Sequence, residues 1–175
     1  DSLPGNFTKY AISMDFGQQH PTTMLLAGFD GKVWTVIKEH YTSGKTVPQF
    51  SKEFGTEILS ACEIEKIVAI DVDAGGGGRS LIEQLRADYI GLAELGLINH
   101  AIKSDVATEL QRLSVALFKH DLVYYKPGCK RCIGEMMNYI WDAKAAIQGK
   151  DAPIKKDDDG CDASRYLWNR ISRLY

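Results

Sequence analysis

No apolar run in this chain approaches the roughly 20 residues that a helix needs to cross a bilayer, and no secretory leader pattern opens it. Neither a membrane partner nor secretion is expected. Cysteine is scarce, with four residues, Cys62, Cys129, Cys132 and Cys161. Cys129 and Cys132 have the CxxC spacing of half a zinc site or a redox pair, but no second CxxC and no HxxxH completes it. Reduced thiols are the expectation. The histidines, His20, His40, His100 and His120, are scattered, and no Ser/His/Asp grouping stands out. Glycines 75–78, followed by Arg79 and Ser80, lack the Gly-Lys-Ser or Gly-Lys-Thr ending of a Walker phosphate loop. An excess of positive charge is missing too. The formal net charge is −2, so no global field draws nucleic acid in. Any grip on a phosphate backbone falls to local groups: Lys126, Lys130 and Arg131, Lys155 and Lys156, and Arg165, Arg170 and Arg173.

What is present suits one globular domain with a sizeable core: 175 residues, 45% hydrophobic and 25% charged. Residues 1–8 are polar and turn-rich and read as a linker at the edge of a domain filling 9–175, as expected of a domain from a longer protein. Apolar runs at 9–15, 22–29 and 33–40 read as strands, and Asp30-Gly31 between the last two is a hairpin signal. A helix is expected from Val47 to about Cys62, with Phe50, Phe54, Ile58 and Leu59 at helical spacing. Residues 66–71 form an unalternating apolar run, typical of a strand buried on both faces. The spacing then predicts a helix over 79–87 and a strand near 97–102. A helix follows, capped by Ser104 and carrying Val106, Leu110, Leu113 and Leu117. A short edge strand at 122–125 and helices over 129–147 and 160–173 complete the chain. The expected class is α/β, with a mixed central sheet (three antiparallel strands, then parallel ones) flanked by helices.

Acidic residues punctuate this order. Asp15 closes the first strand before Phe16-Gly17, and Asp71 closes the fourth, where a charge beside Ile67-Val68-Ala69-Ile70 is costly unless compensated. Asp73, two residues on, shares a face with Asp71 if the strand continues. Asp157, Asp158, Asp159 and Asp162 open the last helix, where some negative charge is favoured in any case. Carboxylates remote in sequence but set at element ends suit a divalent cation, which takes oxygen ligands from several segments. Two ions about 4 Å apart, bridged by a carboxylate, activate a water and stabilise a leaving phosphodiester oxygen. The expectation is that acids from these three clusters, Asp15 and Asp71 among them, meet closely enough to share such ions. Asp73 and Asp159 are further candidate ligands. Arg79 beside the glycines and Lys103 after the fifth strand are candidates to touch a phosphate.

At these residues the chain resembles the C-terminal nuclease domain of tailed-bacteriophage large terminase subunits, which has a ribonuclease H-like fold. The resemblance lies in Asp15-Phe16-Gly17 with Pro21-Thr22, the strand-end Asp71, Tyr139-Ile140-Trp141-Asp142, and the run from Lys155 to Tyr166. That last run is similar to the family's closing pattern, roughly Lys-Asn-Asp-His-x-x-Asp-Ala-x-Arg-Tyr. The resemblance implies an Mg²⁺- or Mn²⁺-dependent endonuclease that cuts concatemeric viral double-stranded DNA during genome packaging. By position it implies Asp15, Asp71 and Asp162 as catalytic metal ligands, with DNA contacts from Arg79, Lys103, Lys155 and Lys156. Asp159 falls where the family often has histidine, and Val72 where it often has proline. The implied partners of the full-length protein are an N-terminal ATPase domain, the portal and the small terminase subunit. The implied location is the host cytoplasm, transiently at the procapsid portal. Two alternatives stay open: a catalytically inactive DNA- or portal-binding module of the same fold, and an actin-like ATPase fragment.

Overall fold

A computed structural model of the chain describes residue 3 and residues 5–17, 20–147 and 158–174, with the side chains of 139–147 left out. The strands are β1 (Lys9–Asp15), β2 (Thr22–Phe29), β3 (Trp34–Thr42), β4 (Ile67–Val72), β5 (Ile98–His100) and β6 (Leu122–Tyr124). The helices are α1 (Val47–Glu53), α2 (Gly78–Asp88), α3 (Ile90–Glu94), α4 (Val106–Lys119), α5 (Lys130–Ile147) and α6 (Asp159–Ile171). The six strands form one sheet in the order β5-β4-β1-β2-β3-β6. β1, β2 and β3 pair antiparallel, whereas β4 joins β1, β5 joins β4, and β6 joins β3 in parallel. The mixed α/β sheet expected from the sequence is the one observed.

Apolar residues on successive strand positions face opposite sides, which gives two cores. One holds Ile12, Met14, Met24, Leu26, Ile70 and Val72 against Phe50 and Phe54 of the first helix region and Leu81, Ile82 and Leu85 of α2. The other holds Ala11, Leu25 and Ala27 against Leu113 and Ala116 of α4, Cys129 and Cys132, and Leu167 and Ile171 of α6. α6 therefore lies across the second face of β1, β2 and β4, and that face carries the chemistry.

Several boundaries differ from the sequence reading. The helix expected to run from Val47 to Cys62 regularises only to Glu53, then widens into a π-helical turn at Phe54–Ile58 and tightens at Leu59–Ala61. The cap of α4 is Asp105, which accepts from the Thr108 N–H at 3.0 Å, and not Ser104. Buried Cys129, Cys132 and Cys161 are free thiols, and burial pushes all three above the ordinary thiol range. Among the described residues no helix is long and apolar enough to cross a membrane.

Candidate active site

β1 and β4 are neighbours running the same way, and the chain leaves their carboxyl ends in different directions, β1 into a hairpin and β4 into the crossover through α2. Such a point opens a crevice at the sheet's end. Asp15 ends β1, and Asp73 follows Val72 at the end of β4, its N–H held by the Met14 carbonyl at 2.9 Å. α6 brings its first turn, with Asp158, Asp159 and Asp162, over the same face. Ser13, one step below Asp15 on that face, fixes the approach by donating its hydroxyl to the Ala163 carbonyl at 2.8 Å.

Crowding of these carboxylates shows in their electrostatics. The half-buried Asp15 carboxyl is pushed up to about 8, first by burial, then by repulsion from Asp162, Asp73, Asp159 and Asp158. Burial and then Asp158 also raise Asp159. Asp73 moves the other way. Burial works to raise it but is outweighed by the Lys103 ammonium, the Gly75 N–H (2.8 Å) and the Tyr166 hydroxyl (3.2 Å), so it titrates below the usual carboxylate range. Asp162 is bridged by Arg165 Nε and Nη2 at 3.2 and 2.7 Å. Arg165 in turn pairs with the fully buried Glu109 of α4.

Asp71 is placed differently. It is fully buried, and Arg170 Nε reaches both of its oxygens at 2.9 Å. Burial lifts its carboxyl and Arg170 opposes the lift. The structure thus gathers Asp15, Asp73, Asp159 and Asp162, and engages Asp71 with an arginine.

Of the phosphate-contact candidates, Lys103 reaches the cluster by pairing with Asp73. Arg79 is exposed in the first turn of α2. Lys155 and Lys156 lie outside the described residues. The surrounding side chains that sequence reasoning did not tie to the acids are Tyr166, Arg165, Glu109 and Arg170, of which Arg165 and Arg170 were expected only as phosphate contacts. Arg165 and Tyr166 belong to the closing run, and their proximity to Asp162 was the signal available for them.

The donor set is all oxygen and anionic, which suits a hard divalent cation such as Mg²⁺ or Mn²⁺. Among the described residues, no three His, Cys, Asp or Glu side chains are drawn together closely enough to hold a metal as they stand. Two acids of the cluster have basic partners instead, Lys103 on Asp73 and Arg165 on Asp162.

This sheet order and the helix laid across its acidic face define a ribonuclease H-like domain of the kind found in terminase nucleases. The chain is similar to the large terminase of a thermophilic bacteriophage, solved in complex with ADP. The two share 30% identity at a TM-score of 0.78, over 98% of this chain and 41% of that one. The chain therefore spans less than half the length of that protein. The nuclease domain of P22 large terminase matches with a TM-score of 0.65 and 19% identity, covering 99% and 85% of the two chains. That of the bacteriophage SPP1 large terminase, g2p, solved with bound Mn, gives 0.58 and 16%, covering 94% and 88%. The likeness to the two nuclease domains is one of fold. No protein-family model and no curated protein matches the chain.

Proposed function

We propose that this chain is a divalent-metal-dependent endonuclease domain that cuts concatemeric viral double-stranded DNA during genome packaging. What supports this reading most is the gathering of acids from the end of β1, the end of β4 and the start of α6, where burial first, and then repulsion from Asp162, Asp73, Asp159 and Asp158, pushes Asp15 up to about 8. Groups this strongly perturbed in a crevice mark functional sites more often than structural ones. Asp15, Asp73 and Asp162 would hold Mg²⁺ or Mn²⁺, with Asp159 flanking them. Asp73 is placed ahead of Asp71 in this reading, because Arg170 Nε donates to both Asp71 oxygens. The bound Mn of the SPP1 nuclease domain supports the choice of metal.

When bound, the ions would supply an activated water and charge stabilisation at the leaving oxygen. The chain's own residues do the positioning. Tyr166 and the Gly75 N–H orient Asp73, and Arg165, anchored on Glu109, orients Asp162. Lys103, on an exposed stem, would pass from Asp73 to a DNA phosphate as cations arrive, with Arg79, Lys155 and Lys156 along the same strand. In the full-length protein the domain would follow an ATPase domain and work with the portal and the small terminase subunit. It would act in the host cytoplasm and transiently at the procapsid portal. The ADP bound to the thermophilic-phage terminase fits such a motor partner.

One observation favours a second reading, a catalytically inactive DNA- or portal-binding module: Lys103 and Arg165 already neutralise two acids of the cluster. Nicking of supercoiled plasmid DNA in Mn²⁺ separates the two. Wild-type protein is expected to nick, and Asp15→Asn and Asp73→Asn to fall to the metal-free background. A wild type without Mn²⁺-dependent nicking would establish the inactive module, and nicking by both variants at wild-type rates would remove the acidic cluster from the chemistry.

A further inference from the structure

A row of side chains crosses the sheet beneath the first turn of α6, and one polar group in it has no hydrogen-bond partner among the described residues. Asp15 of β1 stands opposite Thr23 of β2, and Thr23 stands opposite Tyr41 of β3. Residues paired in this way share a face, with Cβ atoms roughly 4.5–5.5 Å apart. At one end of the row the Tyr41 hydroxyl donates to Glu135 Oε2 at 3.1 Å, and the same oxygen accepts from the Gly160 N–H of α6 at 2.7 Å. At the other end is the Asp15 carboxylate. Thr23 lies between them, fully buried, and its hydroxyl has no hydrogen-bond partner among the described residues. Its neighbour Thr22 shows the contrast, since its hydroxyl exchanges hydrogen bonds with the backbone of Gly17 at 3.3 Å.

A buried hydroxyl without a partner costs stability, and valine would fill the same space without that cost. The acids of the cluster supply the complementary lack. Asp73 accepts from Gly75 and Tyr166, and Asp162 from Arg165. Asp15 accepts no hydrogen bond among the described residues. An acid without an orienting donor and a donor without an acceptor thus face each other across neighbouring strands.

We propose that Thr23 is a positioning residue for Asp15, its hydroxyl donating to the Asp15 carboxylate when that carboxylate engages a divalent cation. This inference rests on the acidic cluster being a metal site. A carboxylate that ligates a metal keeps its orientation through hydrogen bonds from groups behind it, and losing such a group typically weakens metal binding by roughly 10–100-fold. Thr23 is the group placed to do this for Asp15.

Two measurements on the 175-residue chain test the inference: calorimetric titration with Mn²⁺ and thermal unfolding without metal, on wild type, Thr23→Val and Thr23→Ser. Thr23→Val is expected to unfold at the wild-type temperature or higher without metal, yet to bind Mn²⁺ roughly 10–100-fold more weakly. Thr23→Ser, which keeps the hydroxyl, is expected to bind close to wild type. Wild-type affinity in Thr23→Val would overturn the inference while leaving the metal site standing. A marked fall in metal-free unfolding temperature for Thr23→Val would also overturn it, by making the residue structural. A wild type that binds no Mn²⁺ would overturn the metal-site reading itself, and this inference with it.

Discussion

At the scale of single residues, Asp15 pays for its location, since burial and four neighbouring carboxylates hold its carboxyl near 8 in the folded protein. The unfolded chain would titrate it at about 3.9. Between those values the native state keeps a proton that the unfolded state has released. The stability this group contributes is thus complete below about pH 4 and is lost as pH rises through about 8. Asn at this position carries no charge at any pH. The metal-free Asp15→Asn variant should therefore gain unfolding temperature relative to wild type progressively from pH 4 to 8, with no further gain above that. A difference independent of pH over this window would show that Asp15 is not held by its neighbours. Asp71 shows where residue-level reading of the sequence stops. The principle that a charge beside Ile67-Val68-Ala69-Ile70 needs compensation holds, but the compensating charge is Arg170, 99 residues away. Sequence distance hides such a partner, and Arg170 reads in isolation as one more solvent-facing base. Thr23 was equally silent, because a threonine inside an apolar strand looks like ordinary β-branched packing.

At the scale of elements, the loop of glycines between β4 and α2 is where the backbone comes closest to the site. Gly76 and Gly77 adopt positive φ of 58° and 98°, which turns the chain back at the end of β4. Gly78 then begins α2 so near Asp73 that an added Cβ would lie 1.6 Å from the Asp73 carbonyl oxygen. Gly78→Ala must displace either α2 or the backbone that carries Asp73. It should cost at least the roughly 1–3 kcal/mol typical of overpacking, read as a lower midpoint in urea unfolding. Gly91→Ala serves as control, since no atom lies within 4 Å of its added Cβ. It should be neutral or stabilising, and equal midpoints for the two variants would contradict the close approach. Elements with strong local signals were legible: β1 and β2 at 9–15 and 22–29, the Asp30-Gly31 hairpin, and the helices over α2, α4 and α6. α3 has only five residues and no room for a periodic pattern, so it was missed. The irregular turns after α1 were hidden because Phe54, Ile58 and Leu59 keep an apolar face whichever way the backbone winds.

At the scale of the whole molecule, six strands carry two cores, and the face covered by α6 gathers acids from β1, the end of β4 and α6 itself. That acids sit at the ends of β1 and β4 and at the start of α6 was legible in the sequence; how they lie relative to one another was not, because sheet register and the path of α6 decide it. A net charge of −2 is compatible with DNA binding only if cations screen this cluster and local bases make the contacts. The central claim is that Asp15, Asp73 and Asp162 hold divalent cations between them. Crystals of the chain soaked in Mn²⁺, with the ion located by its anomalous scattering, test this most directly. The account predicts density between Asp15, Asp73 and Asp162, with Lys103 released from Asp73 and Asp71 still paired to Arg170. Manganese ligated by Asp71 in place of Asp73, or no manganese at these carboxylates at saturating concentration, would contradict it.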